Sequence, residues 1–496
     1  MYEQEKVFWF SVTSRFAVIL LQFIFNALCP DHEADAFRSP RDPSEHVSIF
    51  DRAIDALLGG LTRWDAQYFM HIAKYGYTYE NTLAFFPLYP MAVRCVAALL
   101  KIVFFTANEH SLITIAAVTT NFVCFVKSAV IFYDLSERVF GRTCVAYKAA
   151  ILYCMNPASI FFTAGYSESM FAYLTFYSMV DSLRDGGFVH CPIGLSTLVR
   201  SNGLINIGFP VFEWFTRNIF FRIGPKIIRQ WNIRSVTRTF GPVLIDALFS
   251  SARIFNCIFL SLVPNFFLQV YNYVLFCTEY SRATSVPAHV ERYARDNNLT
   301  IAGDKGVGWC DANPPLAYST IQQKYWNVGF IRYYEFKQIP NFLLASPILW
   351  IMLTCVYQYC KDHAGLWSLF VVKRGEGNAQ STRANRLPVG MFVFVVHGLF
   401  LTLFCILFVH IQVSTRLLAS ASPLLYWYCA NELSFEPAGH DKSSNDYEDS
   451  ENRFSKWKVF FMNQKNYTLV DRCILFYFLG YLVVGCIMYS NFLPWT

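Results

Sequence analysis

One short segment of this sequence combines charged and aromatic side chains in a chain that is otherwise strongly apolar. Residues 63–80 read RWDAQYFMHIAKYGYTYE, so that Arg63, Trp64 and Asp65 stand together near its start. One interpretation is a short helix at a membrane surface, whose aromatic rings lie among the headgroups while Asp65 pairs locally. The other is that Asp65 is a general base for a substrate at the lipid boundary, where partial desolvation favours base chemistry.

A second group of polar residues lies inside two apolar stretches further along the chain. Residues 156–169, NPASIFFTAGYSES, contain Tyr166 and Glu168, and RSNG at residues 200–203 begins with Arg200 and contains Asn202. A carboxylate in an apolar setting needs a partner, and the planar guanidinium of arginine fits a phosphate. The alternatives are a glutamate with a purely structural partner and an arginine that reaches the headgroups from the end of a span.

Basic and hydrogen-bonding side chains also collect at the ends of two later apolar stretches. The sequences are QQKYWNVGFIRYYEFKQIPN at residues 322–341 and HIQVSTR at residues 410–416. The side chains concerned are Lys324, Arg332, His410, Gln412 and Arg416. Such donors at one membrane face could hold a lipid phosphate, although a belt of long side chains reaching the headgroups has the same composition.

Several motifs of metal-dependent and nucleotide-dependent enzymes are missing from the sequence. It has no Asp-x-Asp motif of the kind that holds a metal and a nucleotide sugar, no P-loop and no zinc-type cysteine pair. Many of the 15 cysteines stand in apolar runs, where a thiol behaves as a small hydrophobe. We therefore predict no metal, no cofactor and no nucleic-acid partner.

The composition indicates that the structural elements that position these residues lie in a membrane. Of the 496 residues, 54% are hydrophobic and 15% are charged, whereas soluble domains carry about 25% charged residues. A spanning helix needs about 20 mostly apolar residues, so the predicted fold class is an all-α polytopic membrane protein. The candidate spans are Val7–Leu28, Ala84–Phe105, Leu112–Tyr133, Val145–Thr163, Tyr166–Leu183, Phe188–Phe212, Val243–Leu262, Phe266–Cys277, Pro340–Cys360, Met391–Ile411, Val413–Ala430 and Val470–Tyr489.

The charges of the loops orient the chain. Residues 214–242 and residues 361–388 are basic, which places both loops in the cytosol because positive loops remain on that side. Residues 281–339 then form a lumenal loop, which contains the glycosylation sequon Asn298-Leu299-Thr300. Residues 29–83, the first polar loop, are also lumenal if the N-terminus is cytosolic.

Two features of this organisation stay open. Counting spans back from residues 214–242 puts Gly165–Ser169 in the cytosol, unless one span is miscounted or this corner dips into the membrane. The stretches on either side of Pro264 form either two helices or one tilted or broken helix. Otherwise residues 1–496 form a single multi-span domain, with residues 431–466 as a flexible charged loop.

Six blocks of the sequence, in this order, resemble the GPI mannosyltransferase 2 family, which adds the second mannose during assembly of glycosylphosphatidylinositol (GPI) anchors. The blocks are CPDHEADAF, GGLTRWDAQYFMHIAKYGYTYENTLAFFPLYP, NPASIFFTAGYSESMFAYLTF, LVRSNGLINIGF, QQKYWNVGFIRYYEFKQIPNFLLASP and HIQVSTRLLASASPLLYW. In this family Ala66 is often followed by Glu-His, whereas here Gln67 and Tyr68 follow it. This departure leaves Asp65 as the better candidate for an essential acid or base.

The resemblance implies a fold, a reaction and a set of partners. The family belongs to the GT-C glycosyltransferases, which are multi-span helical enzymes with an active site at the lumenal membrane face and with lumenal interfacial helices. The donor it implies is dolichyl-phosphate mannose, and the acceptor is mannosyl-glucosaminyl-phosphatidylinositol. The product is an α1,6 linkage made in the endoplasmic reticulum membrane without a cofactor. Membrane lipids and a small membrane accessory subunit are further implied partners.

The resemblance also suggests roles for individual residues. The donor mannose is β-linked and the product is α-linked, so a single in-line attack inverts the anomeric centre and requires a base. Asp65 is the candidate base, and Glu168 is a second candidate base or orients a sugar hydroxyl. Arg200, Arg332 and Arg416 are candidate donors to the leaving phosphate. The other candidate substrate-binding residues are Arg63, Trp64, Tyr166, Asn202, Lys324, His410 and Gln412.

Three other functions remain compatible with the sequence. The first is another GT-C enzyme that uses the same donor with a different acceptor. The second is a transporter or flippase for a glycolipid, which would also need buried charges but would be expected to show paired broken helices in two related halves. The third is a non-catalytic assembly subunit.

Overall fold

The computed structural model describes residues 2–184, 188–216, 233–278, 286–304, 307–364, 386–435, 459–463 and 466–495, and for residues 233–248 the backbone alone. Within these ranges the regular structure is helical, apart from one antiparallel bridge between Tyr79 and Ile301. The predicted all-α class is therefore confirmed for the described part of the chain. Most of the predicted loops 214–242 and 431–466 lies outside the described residues.

The α-helices are α1 (Tyr2–Leu28), α2 (Ile49–Leu58), α3 (Ala66–Tyr75), α4 (Leu88–Val103), α5 (Glu109–Phe140), α6 (Thr143–Cys154), α7 (Glu168–Leu183), α8 (His190–Thr197), α9 (Gly208–Phe215), α10 (Ile233–Cys277), α11 (Ala288–Asp296), α12 (Ala317–Trp326), α13 (Ile339–Asp362), α14 (Phe392–Leu407), α15 (Ser414–Ala421), α16 (Leu424–Glu432), α17 (Phe460–Asn463) and α18 (Leu469–Ser490). Short 3₁₀ helices lie at Gly59–Leu61, Glu80–Ala84, Ser201–Ile207, Phe336–Gln338, Val389–Met391 and Ile411–Val413.

Local sequence sets several of these helix ends. Ser48 and Asp51 form a capping box at the start of α2, and Thr468 and Asp471 form another at the start of α18. In each box the two side chains satisfy backbone N–H groups that the first turn leaves free. At the other end of α5, Gly141 takes the left-handed conformation that ends many helices (φ +61°).

Six helical stretches in the described residues are long and apolar enough to cross a membrane. They are Glu3–Leu28, Glu109–Phe140, Phe249–Cys277, Phe336–Asp362, Val389–Leu407 and Leu469–Ser490. Large apolar side chains on these stretches are exposed, among them Phe16, Phe255, Trp350 and Phe476. Lipid is the solvent in which such a surface is stable. The chain is therefore a multi-pass membrane protein.

Three of the predicted spans were wrong, because none of them is one continuous helix, and two more contain a helix shorter than the six stretches above. Val145–Thr163 ends as a helix at Cys154, Phe188–Phe212 is divided into α8, a 3₁₀ helix and α9, and Val413–Ala430 is divided into α15 and α16. Ala84–Phe105 and Tyr166–Leu183 each contain a helix of 16 residues. These helices end next to polar or proline residues, such as Asn156-Pro157 and Ser422-Pro423. Mean hydropathy over a window does not distinguish one long helix from two short buried ones.

The two predicted stretches around Pro264 belong to one helix. Helix α10 continues from Ile233 to Cys277 through the proline. Gly194 of α8 packs against this point, since a methyl group added there would lie 3.2 Å from the proline ring. Of the two possibilities that the sequence left open, the structure has the single helix.

The corner between α6 and α7 lies inside the bundle rather than at its edge. Tyr153, at the end of α6, hydrogen-bonds to Ser128 of α5 at 2.7 Å, and Asn121 of α5 donates to the carbonyl of Tyr166 at 2.8 Å. Asn121 is about 18 Å along α5 from Glu109, at 1.5 Å per residue. Residues 155–167 are thus a buried turn partway along α5, so the corner at Gly165–Ser169 dips inward, and the spans next to it were also miscounted, as described above.

Residues 29–83 and 286–338 pack on each other at one end of the bundle, and we call them together the two-loop cap. The Glu80 N–H donates to the Thr300 carbonyl at 2.9 Å, and the buried Glu80 carboxylate accepts from Lys324 and Tyr325. A disulfide joins Cys277, at the end of α10, to Cys310 of the second loop. The cap holds α3, and with it Asp65, against the bundle.

Candidate active site

Four charged side chains from distant parts of the chain form a connected set of ion pairs. Arg416 Nη2 lies 2.8 Å from Asp65 Oδ2, and Arg416 Nη1 lies 3.8 Å from Glu168 Oε1. Arg200 Nη1 lies 2.5 Å from the same Glu168 oxygen. The Glu168 side chain is fully buried, whereas that of Asp65 is 30% exposed. Because two carboxylates balance two guanidiniums, the charges can be held in an apolar bundle. We call these four residues the charged cluster.

The backbone around Asp65 directs its carboxylate into the charged cluster. Trp64 has a left-handed backbone (φ +54°), a conformation that is uncommon for a bulky residue and marks a tightly held turn. The Asp65 N–H donates to the Tyr166 hydroxyl at 3.0 Å. Although Asp65 stands at the start of α3, its side chain makes no capping hydrogen bond. The carboxylate is therefore free to face Arg416.

The turn at residues 155–167 presents Tyr166 and Glu168 to the same point. Asn121 donates from its side-chain amide to the carbonyls of Ala164 and Tyr166, and Glu168 then starts α7. Arg416, from α15, lies over the ring of Tyr166 with 5.3 Å between the guanidinium carbon and the ring centroid. This cation–π contact, together with the ion pairs, fixes the guanidinium plane.

Arg15 of α1 is a functional candidate that the sequence analysis missed. Its guanidinium is fully buried and donates to the Cys154 and Ser159 carbonyls at 3.0 and 2.9 Å, and to the Thr163 hydroxyl at 3.0 Å. It also lies 3.8 Å from the centroid of the Phe125 ring. Arg15 therefore holds the far side of the turn that carries Tyr166. An arginine in the middle of the first span was the signal that could have found it.

Asn121 and Glu80 were also missed. Asn121 is a polar residue inside an apolar span, which marks a position where function or buried hydrogen bonding is expected. Glu80 closes the RWD segment and is buried against Lys324. Burial lowers the pKa of Lys324, but the hydrogen bond and the charge of Glu80, with the contribution of Tyr325, together outweigh burial and raise the pKa above its usual value. The Lys324 ammonium therefore stays protonated at physiological pH.

Several of the residues that the sequence put forward lie outside the charged cluster. Arg63 pairs with Asp31 at 2.9 Å, and Trp64 packs against Phe492. Lys324 pairs with Glu80, as described above. Arg332 is exposed beside Asn327, and His410 stacks on Tyr333 at 4.4 Å between ring centroids. Gln412 is half-buried in the 3₁₀ helix just before α15.

Asn202 lies just beyond Arg200, at the start of the 3₁₀ helix Ser201–Ile207. Its side-chain nitrogen is buried and has no hydrogen-bond partner among the residues that the structure describes. Buried amide donors are normally satisfied. This one could donate to a polar group of a substrate beside the charged cluster.

His71 shows that part of the RWD segment is structural. Its Nε2 lies 2.7 Å from the Thr78 hydroxyl and its Nδ1 lies 3.0 Å from the Ser39 hydroxyl. Burial lowers the pKa of His71 to about 3. The imidazole is therefore neutral at physiological pH, and it holds α3 to the chain segments before and after it within the cap.

No group of three or more His, Cys, Asp or Glu side chains in the described ranges is arranged so that it could hold a metal ion. The charged cluster has two carboxylates, and both face guanidinium groups. What the cluster offers chemically is one partly exposed carboxylate beside fixed cationic donors. That combination can accept a proton from an incoming hydroxyl and stabilise negative charge on a leaving group.

Comparison with known proteins connects this site to a family. No solved structure matches the chain. The family model described as "Mannosyltransferase (PIG-V)" matches residues 4–496. The rat protein named GPI alpha-1,6-mannosyltransferase 2 is 36% identical over 99% of each chain, and the human protein of that name is 34% identical over 99% of each. The Drosophila melanogaster protein named GPI mannosyltransferase 2 is 36% identical over 86% of this chain and 91% of its own. Since the match covers nearly the whole sequence, the chain belongs to the PIG-V mannosyltransferase family.

Proposed function

We propose that this protein transfers mannose in α1,6 linkage to the first mannose of a GPI precursor. The names of its relatives give the α1,6 linkage and the GPI substrate for those proteins. The observation that carries the proposal is the charged cluster, in which the partly exposed Asp65 carboxylate lies 2.8 Å from the Arg416 guanidinium. The cluster is built from the sequence blocks on which the family resemblance rests. The proposed location is the endoplasmic reticulum membrane, with the site facing the lumen.

The proposed donor is dolichyl-phosphate mannose and the proposed acceptor is mannosyl-glucosaminyl-phosphatidylinositol. The β-linked donor and the α-linked product require one inversion at the anomeric carbon. The acceptor hydroxyl attacks from the face opposite the phosphate while its proton leaves to a base. The new carbon–oxygen bond forms as the bond from the anomeric carbon to the phosphate oxygen breaks, and the dolichyl phosphate leaves with its negative charge.

Asp65 is the proposed base. Of the two carboxylates in the charged cluster it is the one that solvent reaches, whereas Glu168 is fully buried. A base must approach the hydroxyl whose proton it takes to within hydrogen-bond distance. One oxygen of Glu168 faces both Arg200 and Arg416. Its proposed role is therefore to orient the two guanidiniums rather than to receive the proton.

Arg416 and Arg200 are the proposed donors to the leaving phosphate. Each uses part of its guanidinium on a carboxylate, and each has further N–H groups on the same planar fork. Donors that are already fixed stabilise the charge that develops on the phosphate without reorganising during the reaction. The unpartnered Asn202 amide is a further proposed contact to the substrate. No cofactor or metal has a role in this proposal, and a small membrane accessory subunit remains a proposed partner.

The test compares Asp65→Asn, Glu168→Gln and the exposed control Asp296→Asn in microsomes that lack the endogenous second mannosyltransferase. Asp65→Asn should lose transfer by about a hundredfold or more while inserting normally, because general base catalysis contributes about 10²–10⁴ in rate. Glu168→Gln should retain part of the activity, and Asp296→Asn all of it. The product is checked by digestion with a mannosidase specific for α1,6 linkages.

A near-normal rate for Asp65→Asn would remove Asp65 as the base. A product that resists the α1,6-specific mannosidase would contradict the proposed α1,6 linkage. Absence of any mannose transfer by the unaltered protein would contradict the enzyme proposal itself.

A further inference from the structure

Two adjoining cavities lie behind the segment that carries Asp65. The first, of about 60 Å³, lies between α2 and the first turns of α5. The second, of about 10 Å³, lies between α5 and α3. Arg41 and His110 line both. We call the combined space the α2–α5 cleft. Both cavities are too small to enclose a ligand, so a ligand would lie over their openings rather than inside them.

The side chains of the cleft have more cationic than anionic groups to offer a ligand. Asp51 is already committed, since its two oxygens accept from Ser48 at 2.6 and 2.8 Å and from the Asn108 N–H at 3.0 Å. Arg41 lies 3.6 Å from Asp55, and both side chains are more than half exposed, so this pair is weak. Arg52 has no side-chain partner among the described residues.

An apolar surface borders the cleft. Phe50 of α2 stacks on Phe104, just after α4, with ring centroids 5.5 Å apart. Beside this pair Ile49 is 85% exposed, Ile102 is 75% exposed and Phe105 is 79% exposed. In a protein that crosses a membrane, such side chains face lipid tails. The cleft therefore opens where headgroups meet tails.

The wall of the cleft is the same piece of chain that presents Asp65. Thr62 lines the first cavity and Gln67 the second. The Gln67 amide donates to the Thr62 carbonyl at 2.5 Å, which closes the turn that contains Asp65. A ligand at the cleft would therefore lie next to the turn that carries the proposed catalytic base.

We propose that the α2–α5 cleft binds a lipid whose head carries both a phosphate and hydroxyl groups, with its tails along the surface of Ile49, Ile102 and Phe105. Arg41 and Arg52 contact the phosphate, and Asp55 and His110 face the hydroxyls. This inference rests on the proposed function, because the proposed acceptor is such a lipid. The cleft then holds the inositol phosphate of the acceptor while its mannose reaches Asp65, and the charged cluster is left to the donor.

The kinetic test uses Arg41→Ala/Arg52→Ala in the full-length protein, with Arg94→Ala as the matched control. Arg94 is an exposed arginine on α4 that lies outside the cleft. Transfer is measured while acceptor and dolichyl-phosphate mannose are varied separately. We expect the acceptor KM of the double variant to rise about tenfold or more, with the donor KM and kcat unchanged. The control should resemble the unaltered protein.

A binding test gives a readout that does not depend on catalysis. The unaltered protein and the double variant, in nanodiscs of phosphatidylcholine, are titrated with phosphatidylinositol or phosphatidylserine, and bound lipid is counted by native mass spectrometry. Selective loss of phosphatidylinositol in the variant supports the proposal. If the double variant loses both anionic lipids equally and keeps a normal acceptor KM, the cleft binds anionic lipids in general. That result would overturn the proposal that it binds the acceptor.

Unchanged lipid binding together with an unchanged acceptor KM would overturn the cleft proposal altogether. If the unaltered protein binds phosphatidylinositol through the cleft but transfers no mannose, the proposed function fails and the lipid site stands. The two proposals can therefore fail separately.

Discussion

At the level of single residues, Arg416 is where the two carboxylates of the charged cluster meet. It lies against Asp65 and Glu168 and over the Tyr166 ring. Each well-formed hydrogen bond from a charged group contributes about 1.5–3 kcal/mol. Removing the guanidinium therefore takes away a donor to the phosphate and also leaves two carboxylates close together without their shared counter-ion.

We expect Arg416→Ala to lower kcat by about a hundredfold, and Arg416→Lys to recover only part of the loss, because a point charge does not reproduce the planar fork. Arg332→Ala is the contrasting variant, because Arg332 is exposed and lies outside the charged cluster. We expect it to lose less than tenfold. Turnover is measured at several concentrations of dolichyl-phosphate mannose, with protein amount controlled. Equal losses for Arg416→Ala and Arg332→Ala would contradict the central place of Arg416.

At the level of elements, the turn at residues 155–167 determines whether the cluster forms. Helices α6 and α7 enter the bundle and leave it again on either side of this turn. The polar groups of the turn are deep enough that protein partners must satisfy them. Arg15 does so from α1, and Asn121 does so from α5. The turn is thus held from two sides, and this sets the positions of Tyr166 and Glu168 at its end.

Arg15→Met should lower kcat by at least tenfold and lower the melting temperature in detergent, because carbonyls that Arg15 now satisfies would be left without a donor. Arg15→Lys should restore part of both quantities. The KM for the donor should change little, since Arg15 lies on the far side of the turn from Asp65. Arg94→Met, on the exposed face of α4, is the control. A variant that is destabilised but keeps its kcat would show that Arg15 supports the fold and does not position the site.

At the level of the whole molecule, the two-loop cap and the bundle must keep their positions relative to each other. The disulfide between Cys277 and Cys310 ties the end of α10 to the cap across 33 residues of sequence. A closed loop of this length stabilises a fold by about 3–4 kcal/mol in the chain-entropy model. Disulfides persist in oxidising compartments such as the lumen of the endoplasmic reticulum, which agrees with the proposed location of the cap.

We expect Cys277 and Cys310 in sealed microsomes to resist a thiol-reactive polymer until a membrane-permeant reductant is added and the membrane is opened. Cys277→Ser/Cys310→Ser should make residues 286–326 more sensitive to protease in opened microsomes and reduce transfer. Cys95→Ser, which removes an exposed free thiol of α4, should do neither. Labelling of Cys277 or Cys310 from the cytosolic side without reductant would show that the cap faces the cytosol, which contradicts its proposed lumenal location.

Much of the architecture could be predicted from the sequence because a bilayer restricts the choices. Long apolar runs must be helical in lipid, since no other local structure satisfies every backbone group. This reasoning correctly predicted the all-α class, and six ordered blocks identified the family. It failed at Val145–Thr163, where the helix ends at Cys154 before a buried turn, and at Phe188–Phe212, where the apolar run is divided into short helices. Apolar side chains are favoured both in a protein interior and in lipid. An apolar run alone therefore does not show which of the two surrounds it.

The residue types available for the chemistry are visible in the sequence: an aspartate in a polar interfacial segment, and a glutamate and arginines in apolar runs. Which of them meet depends on how the chain folds. Asp65 and Arg416 are 351 positions apart, and no local pattern specifies such a contact. Arg200 and Arg416 lie in the charged cluster, whereas Arg332 lies outside it. Ion pairs in an apolar bundle must be balanced in charge and matched in geometry. That balance depends on how the helices pack, which is why it could not be found along the chain.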